Sequence, residues 1–133
     1  MAVTEADKVR MRALIQLQIN QLNTTLTQVN AQISNLTTEQ TNLGTYLGEW
    51  NAQKSKYNGN DILSDVVIVN VFEGVCADKI KENMEECISE MDQTYSGVNG
   101  LKSNVGRQIS RLNQYVLDIN AKLTTLKAQL NSL

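Results

Sequence analysis

Apolar residues recur at alternating steps of four and three along the first part of the chain. This spacing is the heptad repeat of a coiled coil, in which positions a and d of each seven-residue unit form an apolar stripe along a helix. The chain contains no proline, so nothing removes a backbone donor from a long helix. We therefore predict one long first helix. Its stripe consists of Ile15, Ile19, Leu22, Leu26, Val29, Ile33, Leu36, Gln40, Leu43, Leu47 and Trp50.

Thr4 and Asp7 mark the start of this helix. A threonine followed three residues later by an acidic side chain is similar to a capping box, so we predict a helix from about residue 5 to residue 56. The positions beside the stripe are mostly Asn, Gln and Thr, and between residues 16 and 42 they carry one charge, Glu39. Partner choice then depends on the shape of the stripe, on the polar Gln40 and on amide hydrogen bonds.

A polar stretch at residues 57–65 follows the first helix and includes Asn58, Gly59 and Asn60. These residue types favour turns, so we predict a turn at about 57–65 and a second helix at about 66–131. The predicted fold is all-α: residues 1–133 form a single domain, a long antiparallel helical hairpin that is coiled-coil-like and has unequal helices. We expect a partner chain or homo-oligomerisation to complete it.

The second helix ends in a further apolar stripe with unbroken heptad spacing. A hairpin centred near Ile62 pairs Trp50 with the region of Gly74 and leaves the apolar residues beyond Leu112 without a partner. These residues belong to a longer run of the stripe, which we call the C-terminal stripe, and we predict that this run binds another protein. It consists of Val105, Ile109, Leu112, Val116, Ile119, Leu123, Leu126 and Leu130.

Burial of the C-terminal stripe is expected because each fully buried aliphatic side chain contributes about 1.5 to 3 kcal/mol. Two arrangements achieve it. In the one we favour, a second chain covers the stripe, since Val98 and Leu101 continue the apolar spacing through residues 96–100. In the alternative, the helix breaks at residues 96–100 and its last third folds back.

The residues that most catalytic and metal sites require are scarce. There is no histidine, so the common nucleophile–base pairs and imidazole ligands are missing. Cys76 and Cys87 lie eleven residues apart, or about 16 Å along one helix, which is too far for a disulfide or a shared metal. We interpret both as small residues of the apolar stripe. We predict a protein that is not an enzyme and has no cofactor, metal or small-molecule substrate.

Charge and hydropathy limit the remaining partners. The net charge is −2 and no cluster of Lys and Arg is present, so we expect no nucleic-acid partner. The longest apolar stretch, residues 66–69, is too short for membrane insertion, and the first residues show no secretory signal. We expect a cytoplasmic protein that is either retained or exported without a cleaved signal peptide.

The second helix carries an aromatic-x-Gly triplet near its start, Phe72-Glu73-Gly74. We expect Gly74 to face Trp50 and to let the two backbones approach closely. A helical hairpin with this triplet after the turn resembles the WXG superfamily of small proteins handled by type VII secretion in Gram-positive bacteria, with Phe in place of Trp. The export signal of that superfamily, Tyr followed four residues later by an acidic residue, is matched by Tyr57 and Asp61, here in the turn.

Within that superfamily, the chain looks most like the small helical partners of LXG-domain toxins. The resemblance implies a targeting or chaperone subunit that binds the helical N-terminal domain of a toxin and promotes its export. Two other classes remain open. A self-assembling coiled-coil scaffold, as a homodimer or a four-helix bundle, explains the same stripe without a foreign partner, and an enzyme is the third class.

Overall fold

The computed structural model describes residues 2–59 and 75–133 and contains two α-helices in that part of the chain. Helix α1 spans Glu5–Gly59 and helix α2 spans Val75–Ser132. They pack against each other as an all-α helical hairpin, which confirms the predicted fold class. Helix α1 ends three residues later than predicted. The remainder of the predicted turn and the predicted start of the second helix, residues 60–74, lie outside the described residues.

The capping box at the start of α1 is present. The backbone N–H of Asp7 donates to Thr4 Oγ1 at 3.1 Å, and the backbone N–H of Thr4 donates to Asp7 Oδ2 at 3.3 Å. The first turn is closed by the N–H of Lys8, which donates to the carbonyl of Thr4 at 3.0 Å. These bonds satisfy donors that a helix leaves unpaired at its N-terminus, so α1 begins at Glu5 as predicted.

The described chain divides into two compact units. Unit 1 combines Met1–Thr38 with Val105–Leu133, and unit 2 is Glu39–Asn104. In each unit, residues at the a and d positions of α1 and α2 form the apolar interface between the helices, which we call the seam. The seam is thin, because a pair of helices has little interior. The buried apolar side chains of the described residues are Ile19, Val29, Ile119 and Leu123 in unit 1 and Leu47 in unit 2.

The core of unit 1 joins the beginning of α1 to the end of α2. Ile119 is 1% exposed and packs in one cluster with Ile19 and Leu123. At the end of the unit, Arg12 Nη2 donates to the carbonyl oxygen of Leu133 at 2.7 Å. The partly buried residues around the cluster are Ile15, Leu22, Leu26, Leu126 and Leu130.

The prediction that the apolar residues beyond Leu112 have no partner within the chain is therefore wrong. The error lies in the register. In unit 2, Trp50 Nε1 donates to the carbonyl of Met91 at 3.0 Å, whereas we predicted that Trp50 faces Gly74. Lys54 forms an ion pair with Asp92 in the same unit. Within each unit, residues of α1 thus face residues of α2 that lie later in the chain than a hairpin centred near Ile62 allows, so the apolar stripes of the two helices are paired within that unit.

Helix α2 is continuous through residues 96–100, so the alternative in which it breaks there is also wrong. The stripe of α2 passes through Ile88, which is half-buried, while Cys87 is an exposed free thiol. The prediction that Cys87 lies in the stripe is thus incorrect, and the four-three spacing continues through Ile88. Between residues 84 and 105, the stripe of α2 consists of Met84, Ile88, Met91, Tyr95, Val98, Lys102 and Val105.

The seam of unit 2 includes polar side chains that are half-buried. Gln40 and Lys54 occupy a positions of α1, and Lys102 occupies an a position of α2. A Cβ atom at Gly44 would lie 3.4 Å from Lys102 Nζ, so the side chain of Lys102 crosses the helix surface where α1 has no side chain. Polar residues at a positions reduce the stability of a coiled coil and favour one register.

Truncation of the most buried side chain tests the seam of unit 1. We expect Ile119→Ala to lower the free energy of unfolding by about 2 to 5 kcal/mol, because it removes transfer free energy and leaves a cavity. Leu117→Ala on the same helix is the control, since Leu117 is exposed, and we expect a change within about 0.5 kcal/mol. Urea unfolding followed by circular dichroism measures both. Equal losses in the two variants would show that Ile119 is not in the core.

Replacement of Gln40 tests the polar seam of unit 2. We expect Gln40→Leu to raise the free energy of unfolding by about 1 kcal/mol, because a half-buried amide is replaced by an apolar side chain, and to loosen register or partner choice. The exposed Gln16→Leu serves as the control. A Gln40→Leu variant that unfolds at the same urea concentration as the wild type contradicts a seam position for Gln40.

Candidate functional site

The eight residues of the C-terminal stripe all lie in unit 1 and are all at least half-buried. Ile119 and Leu123 are buried against α1, and the other six are half-buried. They were assigned to a foreign partner because they were expected to have none within the chain. Since they pack against α1, that reason no longer holds. Their use by another chain remains a prediction, and the surface available to a partner must be sought on the sides of the hairpin.

The residues of the predicted turn motif and export signal are only partly described. Trp50 is at a d position of α1, partly exposed, and bonded to α2 through Met91. Phe72, Gly74 and Asp61 lie outside the described residues. Tyr57 falls within the range of α1, four residues before Asp61. The aromatic-x-Gly motif and the export signal therefore remain predictions.

An open groove runs along one side of unit 1, between α1 and α2. It has two adjoining parts of ≈ 680 Å³ and ≈ 410 Å³, which share Gln18 and Gln129. Nearly all of its lining residues occupy heptad positions c, d and g, so we call the surface formed by positions c and g the c/g side. The lining residues are Met11, Leu14, Ile15, Gln18, Gln21, Leu22 and Thr25 of α1, and Ala121, Lys122, Thr125, Leu126, Gln129, Ser132 and Leu133 of α2.

The groove combines aliphatic side chains with threonine hydroxyls that already have partners. Leu22 and Leu126 form part of its wall and also pack on the core. The hydroxyl of Thr25 donates to the carbonyl of Gln21 at 3.0 Å, and the hydroxyl of Thr125 donates to the carbonyl of Ala121 at 3.1 Å. Because these donors are used within their own helices, an apolar helix placed in the groove leaves neither hydroxyl proton unpaired.

Five of the nine exposed large apolar side chains of the described helices lie on the c/g side, whereas Leu17, 53% exposed, lies at an f position. The five are Met11, Leu14 and Tyr115 in unit 1 and Tyr46 and Leu101 in unit 2. Leu14 is 62% exposed and Leu101 is 52% exposed, although both are leucines on regular helices.

The opposite side of the hairpin, formed by positions b and e, is more polar. Its exposed large apolar side chains within the described helices are Val9 and Leu117. The other positions on this b/e side are mainly Asn, Thr, Ser and Gly. The contrast makes the c/g side the candidate interaction surface, since exposed apolar patches on soluble proteins mark sites of association.

The sequence contains a weak signal for this surface, which is the recurrence of apolar residues at position g. Met11 and Tyr46 are separated by five heptads, and Leu101 and Tyr115 by two, so each pair shares position g. At position g, an apolar residue occurs only once in two or more heptads. This periodicity is weak compared with that of positions a and d, where most residues are apolar. The groove geometry is what shows that the two helices place their g positions on the same side of unit 1.

The described residues contain no group of three Cys, Asp or Glu side chains that could surround a metal ion. Neither described helix has a stretch that is long and apolar enough to cross a membrane.

Comparison of the chain with protein-family models, with curated proteins and with solved structures finds no match.

Proposed function

We propose that this protein is a non-enzymatic binding partner that holds a helix of another protein along the c/g side of its hairpin. The observation that carries the proposal is the open groove of unit 1, flanked by the exposed side chains of Met11 and Leu14. An amphipathic helix buries its apolar face by lying in such a groove, with contacts at intervals of three and four residues. The two-helix hairpin then becomes part of a larger helical bundle.

The foreign protein, in this proposal, is the helical N-terminal domain of an LXG toxin, and binding promotes export of the toxin by type VII secretion. Support comes from the hairpin architecture together with the aromatic-x-Gly triplet Phe72-Glu73-Gly74 in the sequence. The stretch of α1 between residues 16 and 42, which carries the single charge of Glu39, suits a chaperone, because it covers an apolar partner helix without imposing many charge pairs. Binding occurs through the c/g side and not through the buried members of the C-terminal stripe.

A self-assembling scaffold is the second candidate. It is favoured by a separate observation, the unequal distribution of charge between the two units, because such a distribution lets copies of one chain attract each other.

Co-expression with the products of neighbouring reading frames tests the first candidate. We expect a helical protein from that neighbourhood to co-purify with the tagged chain. Met11→Gln combined with Leu14→Gln should weaken the complex by about tenfold or more, because two exposed apolar contacts are lost. Calorimetry or surface plasmon resonance with the purified partner measures the change in Kd.

The matched control is Val9→Gln combined with Leu117→Gln, which makes the same kind of change at exposed positions of the b/e side. We expect this control to retain wild-type affinity. Absence of any co-purifying protein contradicts a foreign partner. Equal weakening by the two double variants contradicts the c/g side as the binding surface.

A further inference from the structure

Two glutamines lie where the two parts of the unit 1 groove meet. Gln18 of α1 and Gln129 of α2 line both parts, and both side chains are exposed, whereas Gln21 lines the larger part alone. On α1, residues 18–25 line the larger part and residues 11–18 line the smaller one. The two parts therefore lie about one heptad, or about 10 Å, apart along the helix.

The hydroxyls that border the groove differ from these two amides, because each hydroxyl already donates within its own helix. Beside Thr25 and Thr125, the hydroxyl of Ser132 donates to the backbone carbonyl of Gln129 at 2.8 Å. In the part of the chain that the structure describes, the side-chain amides of Gln18 and Gln129 have no hydrogen-bond partner within the protein. Each amide has two N–H donors and a carbonyl acceptor that are exposed to solvent.

A helix that fills both parts of the groove must cover the boundary between them. If its residue at the boundary is apolar, the amides of Gln18 and Gln129 lose solvent without gaining a partner, which disfavours binding. The backbone of the incoming helix cannot replace the solvent, because its N–H and C=O groups bond within that helix. A side chain of the partner must therefore supply the hydrogen bonds.

Side-chain chemistry narrows the choice to an amide. Asn and Gln carry both donors and an acceptor, so one such side chain can bond with either glutamine. A carboxylate only accepts and a lysine only donates, and burial of either charge costs more than burial of an amide. Serine and threonine hydroxyls on a helix donate to a carbonyl of their own helix, as those of Thr25 and Thr125 do here.

We propose that Gln18 and Gln129 are specificity-determining residues that select a partner helix with one Asn or Gln in its apolar stripe. Two large apolar residues of that helix, seven positions apart, occupy the two parts of the groove, and the amide lies between them. Leu22 and Leu126 pack on the core and also line the larger part, so the partner helix extends the seam. The inference rests on the proposed function, because it names the chemistry of the helix that the same groove holds.

Two synthetic helical peptides test the inference with the purified full chain. Both are about four heptads long and carry Leu at the groove-facing positions, but the central one of these positions is Gln in one peptide and Leu in the other. Fluorescence anisotropy of each labelled peptide, at a concentration where it is monomeric, measures Kd. We expect the wild type to bind the Gln peptide more tightly, even though the Leu peptide is more apolar.

Removal of the two amides should reverse this preference. In Gln18→Leu with Gln129→Leu the boundary is apolar, so the Gln peptide loses its hydrogen-bond partners and the Leu peptide no longer covers unpaired amides. We expect the ratio of the two Kd values to change by about tenfold or more from the wild type to this variant. The matched control, Gln16→Leu with Gln114→Leu, changes exposed positions away from the groove and should keep the wild-type ratio.

Circular dichroism establishes that the variants are folded, which we expect because all four glutamines are exposed. A wild type that prefers the Leu peptide, or a ratio that the groove variant leaves unchanged, overturns the inference. The proposed function survives that result if Met11→Gln with Leu14→Gln weakens the binding of both peptides. If the wild type binds neither peptide, or if this last variant binds both as the wild type does, the groove is not a helix site and both proposals fail.

Discussion

The antiparallel seam between α1 and α2 is the interaction on which the rest of the structure depends. Two helices bury one stripe each, and here the stripes meet around Ile19, Ile119 and Leu123 in unit 1. No third helix covers the sides of the described hairpin. Because only two helices form the core, the core is thin and the side chains at the c and g positions stay uncovered. The groove of unit 1 follows from this two-helix arrangement.

The heptad pattern predicts helices and stripes well, but it does not predict which heptad of α1 faces which heptad of α2. A shift by seven residues keeps every a and d position in the interface, so many registers look equivalent in sequence. Interactions that occur once distinguish them, such as the bond from Trp50 to the carbonyl of Met91 and the space that Gly44 leaves beside Lys102. Those interactions depend on three-dimensional packing, which explains why the start of α1 was predicted correctly and the residue of α2 that faces Trp50 was not.

The choice between adjacent residues was a second limit of sequence interpretation. Cys87 and Ile88 are both apolar, and either continues a pattern that begins at Met84. The heptad continues from Met91 to Leu133 without interruption, and this long-range regularity places Ile88 at an a position. The c/g side was missed for a related reason. Its apolar residues are sparse along each helix and form a surface only when two helices contribute to it.

In the proposed function, the chemistry of the c/g side gives charge a large influence over how a partner helix would lie there. Threonine hydroxyls such as that of Thr125 donate to carbonyls of their own helix, so they offer a partner few directional hydrogen bonds. Methyl surfaces accept an apolar helix in several positions with similar free energy. Discrimination between those positions must come from the polar groups that remain. In unit 1 these include the amides of Gln18 and Gln129 and the few charges at the edge, such as that of Lys122. A nearly uncharged helix surface thus makes each remaining charge more decisive for orientation.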